Sequence, residues 1–353
     1  MNSTAQIAAT LPSHPSLRPG TPRHSRPSNE VFDRIRALSY RPDLSPLRYP
    51  GGKRKLALLV AYTLATAERP VRLLVEPFAG GAAVSLALLE SGFADSIALA
   101  DRDDLVASFW KTVFSTQAGR LARMVEQAKV SVRIRDEMAA SRPVSDLQRA
   151  FKCVYLNRTS FSGILNERAG PLGGRDQKGK YTIGCRFNRT RIAERIRELS
   201  ARRNYVKFVA CQSYVDTIRD VRTLLTGDTP EDGVFWYFDP PFFDKAERLY
   251  RHAFTQPDHE AFRNALDDLP GSFVLSYDDV PAAEQMYGDD LRAMSVPLGR
   301  TSISMVYAAA ERELRSAKEL IVSDLLLGPR TKMAVHNRAR AAKARAIPRK
   351  RRP

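Results

Sequence analysis

The stretch Val234–Phe242, V-F-W-Y-F-D-P-P-F, constrains the fold more than any other part of the chain. Its first five residues are apolar or aromatic without interruption, which is typical of a strand buried on both faces of a parallel sheet. The two prolines lack the N–H that a central strand needs, so we expect the strand to end at Asp239. This places the carboxylate at the carboxyl edge of an α/β sheet, where ligands bind.

The residues of this corner predict a site for a planar ring that carries an amino group. Pro240 and Pro241 fix the backbone, so that Asp239, the neighbouring carbonyls and Phe242 are held rigidly. The carboxylate and a carbonyl oxygen accept the amino hydrogens, and Phe242 covers the ring. The alternative is a Pro-Pro turn that Asp239 simply caps, and these residues alone leave both interpretations open.

A second buried strand is predicted over Val71–Val75, followed by E-P-F-A-G-G and a helix over Ala82–Leu89. A strand, a glycine turn and a helix form the nucleotide-binding start of a doubly wound sheet, although the full dinucleotide fingerprint is absent. The next strand, Ser96–Ala100, ends at Asp101, 21 residues after Gly80 and near the ~20 expected for an acid that binds ribose hydroxyls. The alternative for Asp101 is an exposed acid that opens a turn.

The remaining chain supplies the other elements of an α/β fold. Hydrophobic patterning predicts helices over Leu56–Ala67, Leu121–Met138, Leu147–Leu156 and Arg189–Ser200, and strands over Tyr205–Ala210, Phe273–Tyr277, Met305–Tyr307 and Glu319–Val322. Residues 1–42 are rich in Ser, Pro, Thr and Arg, and we expect them to be mostly disordered apart from a short helix over Val31–Leu38.

The net charge of +17 is unevenly distributed. Residues 116–203 hold 20 Lys/Arg and 8 Asp/Glu, residues 328–353 hold 10 Lys/Arg and no acid, and the central body is mildly acidic. A basic insert and a basic tail on an acidic body favour a polyanionic partner, most simply nucleic acid. A solvated basic surface is the alternative.

Cysteine content and hydropathy exclude several classes. The three cysteines, Cys153, Cys185 and Cys211, form no C-x-x-C pair, which argues against a disulfide framework or a metal site and suits a reducing cytoplasm. The longest weakly polar run, Leu56–Ala67, is too short to span a bilayer, and no signal pattern opens the chain. We therefore expect a soluble cytoplasmic protein with no membrane and no metal.

A basic loop is predicted after the motif N-R-T-S-F-S-G at Asn157–Gly163. Over Ala169–Asn188, basic residues are interleaved with Tyr181 and Phe187, a composition that suits contacts with a DNA duplex. The candidate DNA-binding residues are Arg158, Arg175, Lys178, Lys180, Arg186 and Arg189. Ordinary surface solvation is the alternative for each of them.

Six motifs together resemble the Dam-like family of adenine-N6 DNA methyltransferases. In order, they are L-R-Y-P-G-G-K, V-E-P-F-A-G-G-A, A-L-A-D-R-D-D-L, Y-L-N-R-T-S-F-S-G, D-P-P-F and F-V-L-S-Y-D-D. The resemblance implies an S-adenosylmethionine-dependent methyltransferase with a Rossmann-like mixed sheet of seven strands, the last of which form an antiparallel hairpin. It also implies a catalytic domain over 43–115 and 204–327, a mostly helical target-recognition insert over 116–203, and tails over 1–42 and 328–353.

The resemblance also implies roles for individual residues. Tyr49 and Lys53 belong to the cofactor-binding N-terminal motif. The pocket for the methionine and adenosine parts of the cofactor is assigned to Glu76, Phe78 and Gly80. Asp101 takes the ribose hydroxyls. The target adenine, beside the cofactor, is held by Asp239, Pro240 and Phe242.

The function implied is transfer of a methyl group from S-adenosylmethionine to N6 of an adenine flipped out of double-stranded DNA. Two residues depart from the family pattern: Ala82 replaces a frequent glycine, and Phe242 replaces a tyrosine, which keeps the ring face and loses a hydroxyl. The alternatives are a catalytically weakened DNA-binding protein on the same fold and an RNA methyltransferase. Whether a restriction endonuclease is a partner is left open.

Overall fold

A seven-stranded sheet forms the centre of the protein. The computed structural model describes residues 29–48, 53–66, 70–166, 169–243, 251–287, 299–308 and 314–325. The strands are β1 Leu73–Glu76, β2 Ile97–Asp101, β3 Val206–Cys211, β4 Val234–Phe238, β5 Ser272–Asp278, β6 Gly299–Ala308 and β7 Leu314–Ser323. Their spatial order is β3-β2-β1-β4-β5-β7-β6.

The sheet is parallel except at one end. Strands β1 to β5 pair in parallel, whereas β7 runs antiparallel to both β5 and β6, and β6 and β7 form a hairpin. The strand order reverses between β1 and β4, which creates the crevice where open α/β sheets bind ligands. The predicted fold class, a Rossmann-like mixed sheet, is confirmed.

Strand β4 is buried on both faces, as its composition predicts. Alternate side chains enter two different hydrophobic clusters: Phe235 and Tyr237 face one, and Trp236 and Phe238 face the other. The rings of Trp236 and Phe238 stack with their centroids 5.7 Å apart. Because no face of this strand meets water, an unbroken apolar run is the only pattern that suits it.

Helices cover both faces of the sheet. They are α1 Asn29–Tyr40, α2 Leu56–Thr66, α3 Ala83–Glu90, α4 Asp104–Val113, α5 Ala118–Glu126, α6 Val132–Ala140, α7 Asp146–Thr159, α8 Arg189–Ser200, α9 Tyr214–Thr223, α10 Gln256–Ala265 and α11 Pro281–Met286. Helices α9, α10 and α11 contribute to the Trp236 side of the sheet, and the others lie on the Phe235 side. No helix within the described ranges is both long and apolar enough to cross a membrane.

The predicted insert over 116–203 shares its hydrophobic core with the sheet. Leu121 of α5, Val154 of α7 and Ile196 of α8 are buried in the same cluster as Phe235 of β4. Arg195 of α8, only 2% exposed, forms hydrogen bonds with the Leu44 carbonyl (2.8 Å) and with Glu90 at the end of α3. Helix α8 of the insert is thereby fixed to the rest of the fold.

One prediction of local structure is corrected and another is confirmed. The helix expected over Leu121–Met138 is two helices, because Ser131 takes an extended conformation and its hydroxyl caps α6 by accepting from the Ile134 N–H at 3.2 Å. The short helix expected over Val31–Leu38 is confirmed as part of α1, where Phe32 stacks on Tyr62 at 4.4 Å and Ile35 is fully buried. Residues 1–28 and the basic tail lie outside the described residues.

Gly271 sets the start of β5 beside β4, and we expect Gly271→Ala to lower the free energy of unfolding by about 2–4 kcal/mol. Its φ of +89° is strained for alanine, and an added Cβ would overlap the Val234 carbonyl oxygen. Urea denaturation measures the change. Gly227→Ala is the control, because no atom lies within 4 Å of an added Cβ there. Equal stability of the two variants would contradict the argument.

Candidate active site

Three acids lie at the carboxyl ends of three neighbouring strands. Glu76 ends β1, Asp101 ends β2, and Asp239 follows β4 directly. The parallel register between β4 and β5 pairs Phe238 with Leu275, so Asp239 is level with Ser276. Because the carboxyl ends of parallel strands meet at one edge of a sheet, the three acids lie at the same edge, where Asp101 and Asp239 line the ligand-binding crevice.

Asp239 is held by contacts from two other elements. Its Oδ1 accepts a hydrogen bond from the Ser276 hydroxyl at 3.3 Å and lies 3.5 Å from the Lys53 ammonium. The Ser276 hydroxyl is in turn 3.0 Å from the Tyr237 hydroxyl. Burial raises the pKa of Asp239 to about 6, against the lowering effect of Lys53, so this carboxyl is ionised at neutral pH.

Lys53 is assigned by sequence to a cofactor motif, and the structure places it in the D-P-P corner. Its ammonium forms a 2.6 Å ion pair with Glu319 of β7, and both side chains are only 3% exposed. The same ammonium lies 5.0 Å from the ring centroid of Phe242, within cation–π distance. Sequence reasoning missed Glu319, although an acid beside the apolar run L-I-V was a usable signal.

Glu76 is a buried acid at the head of α3. It accepts hydrogen bonds from the Ser85 N–H (3.2 Å) and from the Ser85 hydroxyl. Burial is the main cause that raises the pKa of Glu76 to about 8, and the charges of Asp239 and Asp101 add to it. A carboxyl group in this state gains from a cation placed beside it.

The glycine turn adopts a left-handed backbone. Gly80 has φ +43°, donates its N–H to Asp101 at 2.8 Å, and accepts from the Trp110 indole N–H at 2.8 Å. Ala82, which replaces a frequent family glycine, also has positive φ (+48°) and precedes α3. The chain therefore keeps a glycine-like turn with alanine, at a cost of about 1 kcal/mol.

Asp101 joins the glycine turn to α4. Besides the Gly80 N–H, it accepts the Asp103 N–H at 2.9 Å. Burial and the neighbouring charge of Asp103 raise the pKa of Asp101 to about 7. Asp103 caps α4 and pairs at 2.7 Å with Arg251, a residue that the sequence motifs did not indicate.

A cleft of about 100 Å³, open to solvent, lies between two of these acids and an aromatic group. Its lining includes Asp101, Asp239 and the rings of Phe78, Tyr214 and Phe254. The Phe78 ring centroid is 5.9 Å from that of Tyr214 and 5.7 Å from that of Phe254. Tyr214 and Phe254 were not predicted, because neither lies in one of the six motifs.

The segment before Tyr49 is clamped by the motif N-R-T-S-F-S-G. The buried Asn157 amide donates to the carbonyls of Arg48 (2.6 Å) and Gly163 (2.8 Å) and accepts the Arg48 N–H (2.6 Å). Gly163 has φ +77°, and an added Cβ would overlap the Arg48 carbonyl oxygen. Tyr49 itself lies outside the described residues.

The candidate DNA-binding residues separate into two groups. Exposed side chains belong to Arg175, Lys178, Lys180, Arg186 and Arg189. Arg158 is different, because its guanidinium is partly buried and donates to the carbonyls of Pro46 (2.7 Å) and Ser45 (3.4 Å). Burial lowers its pKa to about 10. The Arg158 guanidinium thus holds the backbone at Ser45 and Pro46, and its role in DNA binding stays a prediction.

The exposed basic loop is shaped by its own side chains. Gln177 donates to the carbonyls of Leu172 (3.0 Å) and Gly174, and accepts the Ile183 N–H at 2.6 Å. Gly173 has φ +82° and fits where a Cβ would overlap the Tyr181 carbonyl oxygen. The loop therefore presents Lys178 from a defined backbone. Across the described part of the chain, no group of three or more His, Cys, Asp or Glu could hold a metal ion.

The sheet order, the glycine turn after β1 and the acids after β2 and β4 define an α/β methyltransferase fold with a nucleotide-binding crevice. Residues 49–297 match the D12 class N6 adenine-specific DNA methyltransferase family. The chain belongs to this family and is an adenine-specific DNA methyltransferase, as the six motifs predict.

Other comparisons are weak. The crystal structure of a putative RNA methyltransferase from Pyrococcus horikoshii aligns with a TM-score of 0.33 and 10% identity, covering 84% of this chain and 98% of that one. This likeness is too distant to carry an argument about substrate. No curated protein matches the chain.

Asn157→Ala is expected to lower the free energy of unfolding by about 2–4 kcal/mol, because it leaves the buried N–H and carbonyl of Arg48 unpaired. Urea denaturation followed by circular dichroism measures the change. Asn264→Ala, on the exposed face of α10, is the matched control and should change stability by less than about 0.5 kcal/mol. If Asn157→Ala also lowered the free energy of unfolding by less than about 0.5 kcal/mol, the hydrogen bonds of Asn157 would contribute nothing to stability.

Proposed function

We propose that the protein transfers a methyl group from S-adenosylmethionine to N6 of an adenine that has been flipped out of double-stranded DNA. The observation that carries this proposal is the D-P-P corner. There, Asp239 is ionised and held by Ser276 and Lys53 beside the ring of Phe242. Two hydrogen-bond acceptors, the Asp239 carboxylate and the Pro240 carbonyl, next to the face of an aromatic ring suit an aminopurine.

The residues of the crevice fit the proposed cofactor. Glu76, a buried carboxyl of raised pKa, suits the α-ammonium of its methionine part, and Asp101 suits its ribose hydroxyls. The rings of Phe78, Tyr214 and Phe254 suit its adenine. When bound, the cofactor supplies an activated methyl on a sulfonium, and its positive charges would relieve the repulsion among the acids of this edge.

The chain's own contribution to the chemistry is to hold the target amine. The lone pair of an exocyclic adenine amine is delocalised into the ring, so the amine is a weak nucleophile. Hydrogen bonds to Asp239 and to the Pro240 carbonyl would draw the nitrogen toward tetrahedral geometry and stabilise the positive charge that develops on it. Phe242 keeps the aromatic face of the tyrosine that is usual in the family, so this replacement is compatible with activity.

The proposed duplex contact is made by the loop over Ala169–Asn188. A base inside a duplex cannot reach the corner, and flipping it out costs a few kcal/mol. Contacts from Lys178, Lys180 and Arg186 to phosphates would offset this cost. Proposed roles for Arg175 and Arg189 are weaker, because Arg175 pairs with Asp136 (3.0 Å) and Arg189 donates to the Ala128 carbonyl (2.6 Å).

We propose that the protein acts in the cytoplasm, a reducing compartment that its three unpaired cysteine positions suit. The recognition sequence and the existence of a partner endonuclease require a further experiment. Sequencing DNA from cells that express the protein, with detection of modified adenines, would give the recognition sequence. A restriction endonuclease of the same specificity in the source cell would make the pair a restriction-modification system.

Asp239→Ala should lower methyl transfer by on the order of 10³-fold or more, because the amine loses its charged acceptor. The fold should persist, since Lys53 keeps its 2.6 Å pair with Glu319. Incorporation of labelled methyl groups into DNA measures transfer, and calorimetry measures cofactor binding, which should largely remain. Asp228→Ala, an exposed substitution, is the control.

Three results would count against this account. Transfer at the wild-type rate by Asp239→Ala would remove Asp239 from the mechanism. A wild-type protein that shifts DNA in gels yet binds no cofactor would favour the noncatalytic alternative. Methylation of RNA in preference to DNA in a competition assay would favour the RNA alternative.

Lys178 and Lys180 together should account for part of the salt-dependent DNA affinity. The double variant Lys178→Ala, Lys180→Ala should bind DNA about tenfold more weakly at moderate salt, with the slope of log affinity against log salt shallower by about one to two. The matched control removes two exposed cations elsewhere, Lys207 on β3 and Arg219 on α9. Fluorescence anisotropy measures both. Identical salt slopes for the two double variants would exclude the loop from the interface.

A further inference from the structure

Glu319 is a buried acid on a strand that the cofactor and target motifs do not include. Strand β7 is antiparallel to β5, and its register pairs Glu319 with Asp278 at the carboxyl end of β5. The chain therefore returns a carboxylate to the same sheet edge as Asp239. A buried carboxylate is costly unless it is paired, so its presence here needs an explanation.

The contacts of Lys53 are unequal. Its Nζ is 2.6 Å from Glu319 Oε2 but 3.5 Å from Asp239 Oδ1, and it also lies over the Phe242 ring. The ammonium is thus held mainly by Glu319 and only secondarily by Asp239. An ammonium that was free to approach Asp239 fully would occupy the acceptor that the target amine needs.

We propose that Glu319 is a positioning residue for methyl transfer: it holds the Lys53 ammonium so that Lys53 steadies Asp239 without taking over its acceptor oxygens. The proposal rests on the function proposed above. Glu319 need not touch the target base or the cofactor, and it acts through Lys53. It also gives the C-terminal hairpin, far from the motifs in sequence, a role at the reacting corner.

The groups that face Asp239 come from five elements besides its own turn. They are Lys53 from the 3₁₀ turn 53–55, Glu319 from β7, Ser276 from β5, and Tyr237 and Glu76 from the ends of β4 and β1. Lys53 and Ser276 lower the pKa of Asp239, whereas the negative charge of Glu319 raises it. Removing Glu319 and removing Ser276 should therefore have opposite effects.

The experiment compares Glu319→Gln with Ser276→Ala, with Glu284→Gln on the exposed face of α11 as the control. Glu319→Gln should lower kcat about tenfold or more with little change in KM for DNA, because Lys53 then neutralises Asp239. The acid limb of kcat/KM, near pH 6 in the wild type, should move to lower pH in Glu319→Gln and to higher pH in Ser276→Ala.

A second measurement does not depend on activity. Carboxyl ¹³C NMR of protein labelled in aspartate, with the Asp239 signal assigned by its loss in Asp239→Asn, reports the titration directly. The same opposite displacements are expected. A Glu319→Gln protein with wild-type kcat and an unmoved Asp239 titration would overturn the proposal, and so would displacements of both variants in the same direction.

If Glu319→Gln does not fold, Lys53→Met with Glu319→Gln removes both charges of the pair and is better tolerated. Lys53 affects Asp239 more strongly than Glu319 does, so the pKa of Asp239 should then rise above that of the wild type. An unchanged titration would overturn the proposal. Failure of the wild type to methylate adenine would overturn the proposed function instead, whereas an active wild type beside an unaffected Glu319→Gln would overturn only this inference.

Discussion

The burial of one ammonium between two carboxylates is the interaction on which the site depends. Lys53 and its partner Glu319 are separated by 266 positions in the chain, and Asp239 lies between them in sequence. Removing one partner of a buried pair leaves an uncompensated charge that costs about 3–5 kcal/mol, so the positions of Lys53 and Glu319 depend on each other. The N-terminal motif, the D-P-P corner and the final hairpin therefore form one unit, and the corner takes shape only when the whole sheet has assembled.

The acids of the crevice follow from the same sheet geometry. Neighbouring strands lie about 4.8 Å apart, so acids that end adjacent strands are brought close whatever their mutual repulsion. Burial is the main cause that raises the pKa of Glu76, Asp101 and Asp239. A neighbouring acid adds to it in each case: Asp239 and Asp101 act on Glu76, Asp103 acts on Asp101, and Glu319 acts on Asp239. Such an arrangement is unfavourable by itself and improves with a cationic ligand. The folded protein therefore holds these acids in place before a cationic ligand binds.

Features that depend on local sequence pattern were predicted correctly, whereas contacts between distant segments of the chain were missed. The unbroken run of β4 and the glycine turn identified the sheet and its ligand edge, because burial on both faces allows few other compositions. Glu319 was missed, since the antiparallel register that brings it to Lys53 cannot be read from β7 alone. The contact of Arg158 with the Pro46 carbonyl was missed for a related reason, since the two residues are 112 positions apart in the chain.

The part of the chain proposed to contact DNA and the corner proposed for the chemistry are joined by fixed backbone, without a hinge between them. Asn157, at the end of α7, fixes the backbone of Arg48, and Lys53 follows only five residues later. Arg195 fixes α8 to α3 at the same junction, and the helices of the insert share the core of the sheet. A segment anchored in this way cannot reorient as a separate domain without breaking buried hydrogen bonds. In the proposed function, adjustment to a duplex would therefore occur in the exposed loop, whereas the distance from the helices over 116–203 to the D-P-P corner is set by the fold.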